Sequence, residues 1–240
     1  DNFIESDAVK IGKTFMDYLK KTKDPRIHVY CSLKDGNTEF DKQFGLPNGY
    51  DSHTIADAPS GSFVGLENTS NFNINTILRL DAPTIFLMPS ETKLLLAEAV
   101  LRNWTNGNAE VLYKEAITSS MKEQEIAYGT QGKITDEEIE TYLAQNLFST
   151  ANNTEKLQII GEQYWVATFI NGYESYANWR RTGYPKLIPT NYSGSMSPGV
   201  IPTRLPYPTD EYSINRANVD TANQQQGADK VTTHIWWDID

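Results

Sequence analysis

Between Asp35 and Asn75 the chain sets aromatic rings among short planar polar side chains. Phe44, Tyr50 and Phe63 are interleaved with Asn48, Asp51, His53, Asn68 and Asn71. A ring offers a flat apolar face, and an amide or carboxylate beside it offers hydrogen bonds in a fixed plane. That pairing suits a ligand with flat apolar faces ringed by hydroxyls, and Tyr50 is the foremost candidate for contact. The same rings would also serve to seat the loop on the body of the protein. The stretch runs for about forty residues without a hydrophobic period, which is too long for a passive connector in a compact domain.

Other chemistries find little support in the residue types. His28, His53 and His234 are far apart, and none has the spacing of a metal-binding helix such as HExxH. Neither a G-x-S-x-G elbow nor a phosphate-cradling glycine loop occurs. The 31 acidic residues leave a glycosidase pair open, since that chemistry needs only two carboxylates at the correct separation. Glu137, Glu138 and Glu140 read instead as acids near a helix N-terminus. Asp, Asn and backbone oxygens could supply a Ca²⁺ site, but EF-hand spacing is absent and neither a metal nor a cofactor is assigned. Cys31 is the single cysteine, so no disulfide framework or thiol cluster can form. It reads as a small buried or half-buried residue.

The elements that must position such a loop are helical. Ser90 to Met121 carries two apolar-periodic segments separated by Thr105-Asn106-Gly107-Asn108. Ser90 is expected as the first N-cap, with Pro89 discouraging an earlier start. Gly107 suits the turn that ends the first helix, and Asn108 the cap of the second. Ala97, Ala109 and Ala116 fall at the small positions of a tetratricopeptide repeat, and Tyr113 at its aromatic position. One such hairpin cannot bury both of its faces alone.

Upstream, Ala8 to Lys21 reads as a helix stopped by Asp24-Pro25-Arg26, and Ile27 to Leu33 as a short strand. Asn75 to Leu80 is expected as a further short strand. Downstream, Thr135 to Leu147 opens with a capping box of Thr135 and Glu138. Thr154 to Arg181 is the longest helical pattern, with Gly161 and Gly172 permitting a kink or close packing. Trp104 and Trp165 read as packing residues, and Arg180 or Arg181 as a structural clamp on a carboxylate elsewhere. From Gly183 to Asp240 the chain reads as an extended, surface-wrapping tail, with Trp236-Trp237-Asp238 a terminal strap pinned into the body. The fold class expected is mainly α: tetratricopeptide-like hairpins with long irregular loops and few short strands.

A formal charge of −10 removes nucleic acid from the partner classes, because no basic face supplies the attraction to phosphates. Apolar runs reach only a few residues, far short of the roughly 20 a membrane helix needs. The chain begins at Asp1 rather than at a methionine, and a piece of a longer protein is expected.

Three stretches resemble the SusD/RagB family of nutrient-binding outer-membrane lipoproteins of Bacteroidetes. They are the TFMDYL helix with Asp24-Pro25-Arg26, the LLLAEAVLRNW hairpin, and the run from NGYESYANWRRTGYP through RLPYPTDE to the terminal WWD. The resemblance covers nearly the whole chain but only the C-terminal half of such a protein. It implies a binding protein and not an enzyme. Such a protein is lipid-anchored through a segment outside this chain, and it faces outward on the outer membrane. It captures oligosaccharides, or peptides in some members, and passes them to a SusC-like TonB-dependent transporter. It also implies that the loop upstream of the LLLAEA hairpin carries ligand contacts. A helical protein-interaction scaffold and a glycoside hydrolase are the alternatives.

Overall fold

The computed structural model describes residues 9–50, 53–191 and 194–238. Its first helix, α1 (Lys13–Thr22), buries Phe15, Met16 and Leu19 on one face. The expected strand at 27–33 is a helical turn, α2 (Ile27–Tyr30), followed by a two-residue strand, β1 (Cys31–Ser32). Asp24 and Arg26 force this departure. The Arg26 side chain folds back onto Asp24, and the backbone amides of Val29 and Tyr30 both close on the Arg26 carbonyl. β1 pairs antiparallel with β2 (Asn71–Phe72), Cys31 opposite Phe72 and Ser32 opposite Asn71. Residues 75–80, expected as a strand, form turns anchored on Asn73 and Thr76.

The expected hairpin is present as α3 (Pro89–Leu101) and α4 (Ala109–Tyr128). α3 starts one residue before Ser90, with Pro89 in the first turn, where its missing N–H costs nothing. Ser90 is buried and donates its hydroxyl to Glu123 (2.7 Å), while Glu91 reaches back to the Met88 amide (2.8 Å). The left-handed residue after α3 is Asn103 (φ 59°), not Gly107, and Asn108 caps α4 as expected. Ala97 and Ala116 are fully buried and Ala109 nearly so, and Tyr113 stacks on Phe148. Trp104, expected to pack, is 71% exposed beside Arg102.

α5 (Asp136–Gln145) opens with the Thr135–Glu138 capping box. The long helix expected from Thr154 divides into α6 (Asn153–Ala167) and α7 (Gly172–Thr182). The break carries Phe169 into an aromatic cluster, stacked at 4.4 Å on Phe15, 4.9 Å on Tyr30 and 5.2 Å on Phe72. Asn171 then caps α7 rather than continuing a helical stripe. Trp165 meets Phe15 edge-on at 5.0 Å and is a packing residue. The tail is not wholly extended: α8 (Thr209–Ile214) and α9 (Arg216–Gln226) lie within it. Arg204, the Tyr207 amide and the Tyr212 hydroxyl converge on Asp229 and hold that segment together.

A polar network is buried within the apolar body. Asp24 and Arg26 are both fully buried, and their ion pair closes at 2.5 Å. The guanidinium also donates to Ser120 on α4 (2.9 Å) and Gln163 on α6 (2.7 Å). Gln163 in turn donates to the hydroxyls of Tyr142 on α5 (2.7 Å) and Tyr18 on α1 (3.0 Å). Burial by itself would lower the Arg26 pKa, but the Asp24 carboxylate outweighs it and the net direction is upward. Nearer the surface, Arg181 grips Glu98 through both nitrogens (2.6 and 2.7 Å), and Arg102 adds a third bond at 2.7 Å. Arg181 is therefore the structural clamp.

Replacing Arg26 with Ala is expected to cost about 3–5 kcal/mol, because it strands a buried carboxylate and two acceptors. Urea unfolding of Arg26→Ala beside Arg26→Met with Asp24→Leu checks this, and the double variant is expected to recover much of the loss. Two carboxylates should bend the pH profile of stability in opposite senses. Burial raises the pKa of Glu98, but the bonds from Arg181 and Arg102 overcome it, and the net shift is downward. Its stabilisation is thus present above the ordinary carboxylate range and is lost as acid titrates it. The Glu91 pKa is raised by burial, with Glu174 and Glu123 adding to the effect against the Met88 amide. Ionised Glu91 therefore costs stability at neutral pH and ceases to do so in acid. Glu91→Gln is expected to raise the melting temperature at pH 7 and to match the parent near pH 4, measured by thermal unfolding across that range.

Candidate functional site

Three backbone lanes build the floor on which the loop residues stand. The Ile11 amide donates to Ser70 O (2.9 Å), the Leu46 amide to Ile11 O (2.7 Å) and the Lys13 amide to Leu46 O (2.7 Å). Ser70 also takes the Phe44 amide on its hydroxyl (3.0 Å) and passes its own proton to the Gln43 side chain (2.8 Å). Residues 43–48 are thereby stitched between 10–13 and 69–71. Gly45 permits the approach, because a Cβ there would lie 2.4 Å from Lys13 Cα.

The chain leaves this floor through Pro47-Asn48-Gly49-Tyr50 and meets a segment of the tail. Gly49 has φ +84°, and a Cβ on it would stand 2.9 Å from the Thr190 side chain. Between the two segments lies an open groove of about 400 Å³. Asn48 and Tyr50 form one wall, Ile188 with Thr190 and Asn191 the other, and Thr14 and Asp17 of α1 the base. The Asn48 amide nitrogen donates to Thr14 Oγ1 (3.0 Å), which fixes the plane of the side chain. Lys13 and Asp17 pair at 2.7 Å along α1. Tyr50 is half-buried and lines the groove.

Among the described residues, the structure brings together two of those nominated from the sequence, Asn48 and Tyr50. Phe44 is 40% exposed but lies under the Lys20 ammonium (4.2 Å) rather than in the groove. Asn68 is exposed and spends its amide on Val64 O and Glu67. Asn71 is a buried strand residue in β2, which removes it from any ligand-facing set. Phe63 is half-buried and His53 exposed, and neither lines the groove. Asp51 lies outside the described residues. The residues that sequence reasoning missed are Thr14, Asp17, Ile188, Thr190 and Asn191. The tail contributors carry a weak signal, a Pro189-Thr190-Asn191 run in an otherwise aperiodic segment.

Chemically the groove offers an aromatic face, an oriented amide, hydroxyls and a charged pair. That set can stack on a ring and read hydroxyls. Among its described lining residues Asp17 is the single carboxylate. Among the described residues, no group of three His, Cys, Asp or Glu side chains is arranged to hold a metal ion. No helix among them is long and apolar enough to cross a membrane.

Comparison with known proteins agrees with this architecture. The model of a SusD-like family, described as starch-binding and associating with the outer membrane, matches residues 3–208. No curated protein matches the chain. Among solved structures, a chitin-binding protein is 29% identical with a TM-score of 0.77, over 95% of this chain and 50% of its own. A SusD homologue from Bacteroides fragilis is 26% identical with a TM-score of 0.76, over 96% of this chain and 52% of its own. Another from Bacteroides vulgatus is 27% identical with a TM-score of 0.72, over 95% and 49%. The chain spans about half the length of these relatives. Its helical hairpin fold and the match to most of its length lead to one assignment: the chain belongs to the SusD-like family.

Proposed function

We propose that this chain captures an oligosaccharide at the outward face of the outer membrane and passes it to a SusC-like TonB-dependent transporter. No bond in the ligand is broken. A lipid anchor on a segment outside this chain would hold the protein at the surface. The observation that carries the proposal is the groove between 47–50 and 188–191, where Tyr50 stands beside an Asn48 side chain whose plane is fixed by Thr14. A sugar ring stacked on Tyr50 would bring its hydroxyls to Asn48, Thr190, Asn191 and Asp17. Because the walls are already held by backbone bonds and by the Gly49–Thr190 contact, little ordering is left for the ligand to bring about. The starch-binding description of the family and the chitin-binding relative make α-glucan and chitin oligosaccharides the first ligands to try.

Titration calorimetry of the chain with maltoheptaose and chitohexaose tests this. Saturable binding without release of shorter sugars is the expected result. Tyr50→Ala is expected to weaken binding about tenfold, a loss of about 1.4 kcal/mol. Sugar binding that survives Tyr50→Ala at full strength would remove the groove from the proposal, and liberation of reducing ends would remove the non-catalytic role. Gly49→Ala should act through shape alone. It places a Cβ against Thr190 at a positive φ, so both the melting temperature and the affinity are expected to fall, whereas Asn48→Ala lowers affinity with little change in melting.

A further inference from the structure

The C-terminal strap holds a second, larger groove with the same kind of chemistry. About 560 Å³ lies between the end of α9 and residues 234–238, lined by Gln225, Gln226, Tyr207, His234 and Trp236. The strap itself is fixed. The Trp237 ring lies under the Arg180 guanidinium at 4.4 Å. Asp238 takes a bond from Arg180 (3.5 Å), pairs with His234 (3.2 Å) and donates its amide to Ile235 O (2.8 Å). Held on both sides, Trp236 is left 82% exposed. What sets Trp236 apart from the exposed Trp104 is its place in a groove beside planar amides, where an indole face can stack on a flat ligand. The opposite wall is supplied by planar amides on the last turn of α9, which donate and accept in one plane.

We propose that this groove is a second saccharide subsite, with Trp236 as the stacking face and Gln225 and Gln226 reading hydroxyls. Tyr207 closes one end, its own amide held by Asp229 (3.1 Å). The ligand class is a neutral oligosaccharide rather than an anion. Asp238 lines the same groove, and Arg180, which pairs with it from the body, is occupied by that carboxylate and by Trp237. This inference rests on the glycan-capture reading, and its test separates the two.

The chain is titrated with maltoheptaose and chitohexaose as wild type, Trp236→Ala, Gln226→Ala and Tyr50→Ala, with intrinsic tryptophan emission recorded in parallel. Trp236→Ala is expected to weaken binding about tenfold or to remove one of two binding events, and Gln226→Ala to do so to a lesser degree. The sugar-induced change in emission should disappear with Trp236→Ala and persist with Tyr50→Ala. Because Trp236 is exposed, its loss is expected to leave the melting temperature unchanged. Sugar binding that is unaltered by Trp236→Ala, yet weakened by Tyr50→Ala, overturns the second subsite and leaves the first standing. Absence of binding to the wild type by either sugar overturns both.

Discussion

The fully buried ion pair of Asp24 and Arg26 ties four helices of this chain together. Asp24 and Arg26 sit two residues apart at the end of α1, in a position that no solvent reaches. Two charges removed from water are tolerable only where each remaining donor and acceptor is answered. The answers come from Ser120 on α4 and Gln163 on α6, and through Gln163 from Tyr142 on α5 and Tyr18 on α1. A hydrophobic core of the same volume would hold these helices with comparable strength. The guanidinium accepts only the register in which its nitrogens find both partners. That is a specificity argument, and it accounts for an arginine at a place where a leucine would pack.

The loop that lines the first groove inherits its position from this arrangement by short steps. α1 ends in the buried pair and begins in the backbone bonds to Leu46, so the floor of the groove is tied to the centre of the body through ten residues of helix. The second wall comes from the far end of the chain and is seated by close approach at two glycines. Gly161 on α6 leaves room for Tyr184, whose Cβ would be 2.6 Å from a side chain there, and Gly49 leaves room for Thr190. Both contacts need the absence of a Cβ, and the groove exists because two segments far apart in sequence meet across them.

Much of the helical frame was legible in the sequence, because caps and apolar periods are local signals. Asn108, Thr135 with Glu138, and the buried alanines of the hairpin all act within a few residues of themselves. What failed was decided at long range. Residues 27–33 look like a strand until Arg26 is seen to need a turn that brings it back onto Asp24. The helix from Thr154 looks continuous until Phe169 finds an aromatic cluster built from three other parts of the chain. Asn71 looks like a ligand contact from its residue type, and the pairing with Ser32 that buries it is non-local. In the groove, Asn48 and Tyr50 were visible as chemistry, whereas Thr14, Thr190 and Asn191 became members through contacts that no local pattern announces.

The two grooves solve one physical problem by different means. A ring that is to stack on a ligand must stay partly wet while its neighbours are buried, and left alone it would collapse onto the nearest apolar surface. At Tyr50 the backbone works against this: Gly49 turns with a positive φ shortly after the bonds that anchor Leu46. At Trp236 electrostatics prevents it, since Asp238 and Trp237 on the strap are both held by Arg180. Arg180 is the residue before the Glu98 clamp of Arg181, at the end of α7 where the helix dipole favours cations. The same helix end therefore fixes the body through one arginine and presents the strap through the other. Shape at the strap is thereby coupled to the packing of α7 on the hairpin.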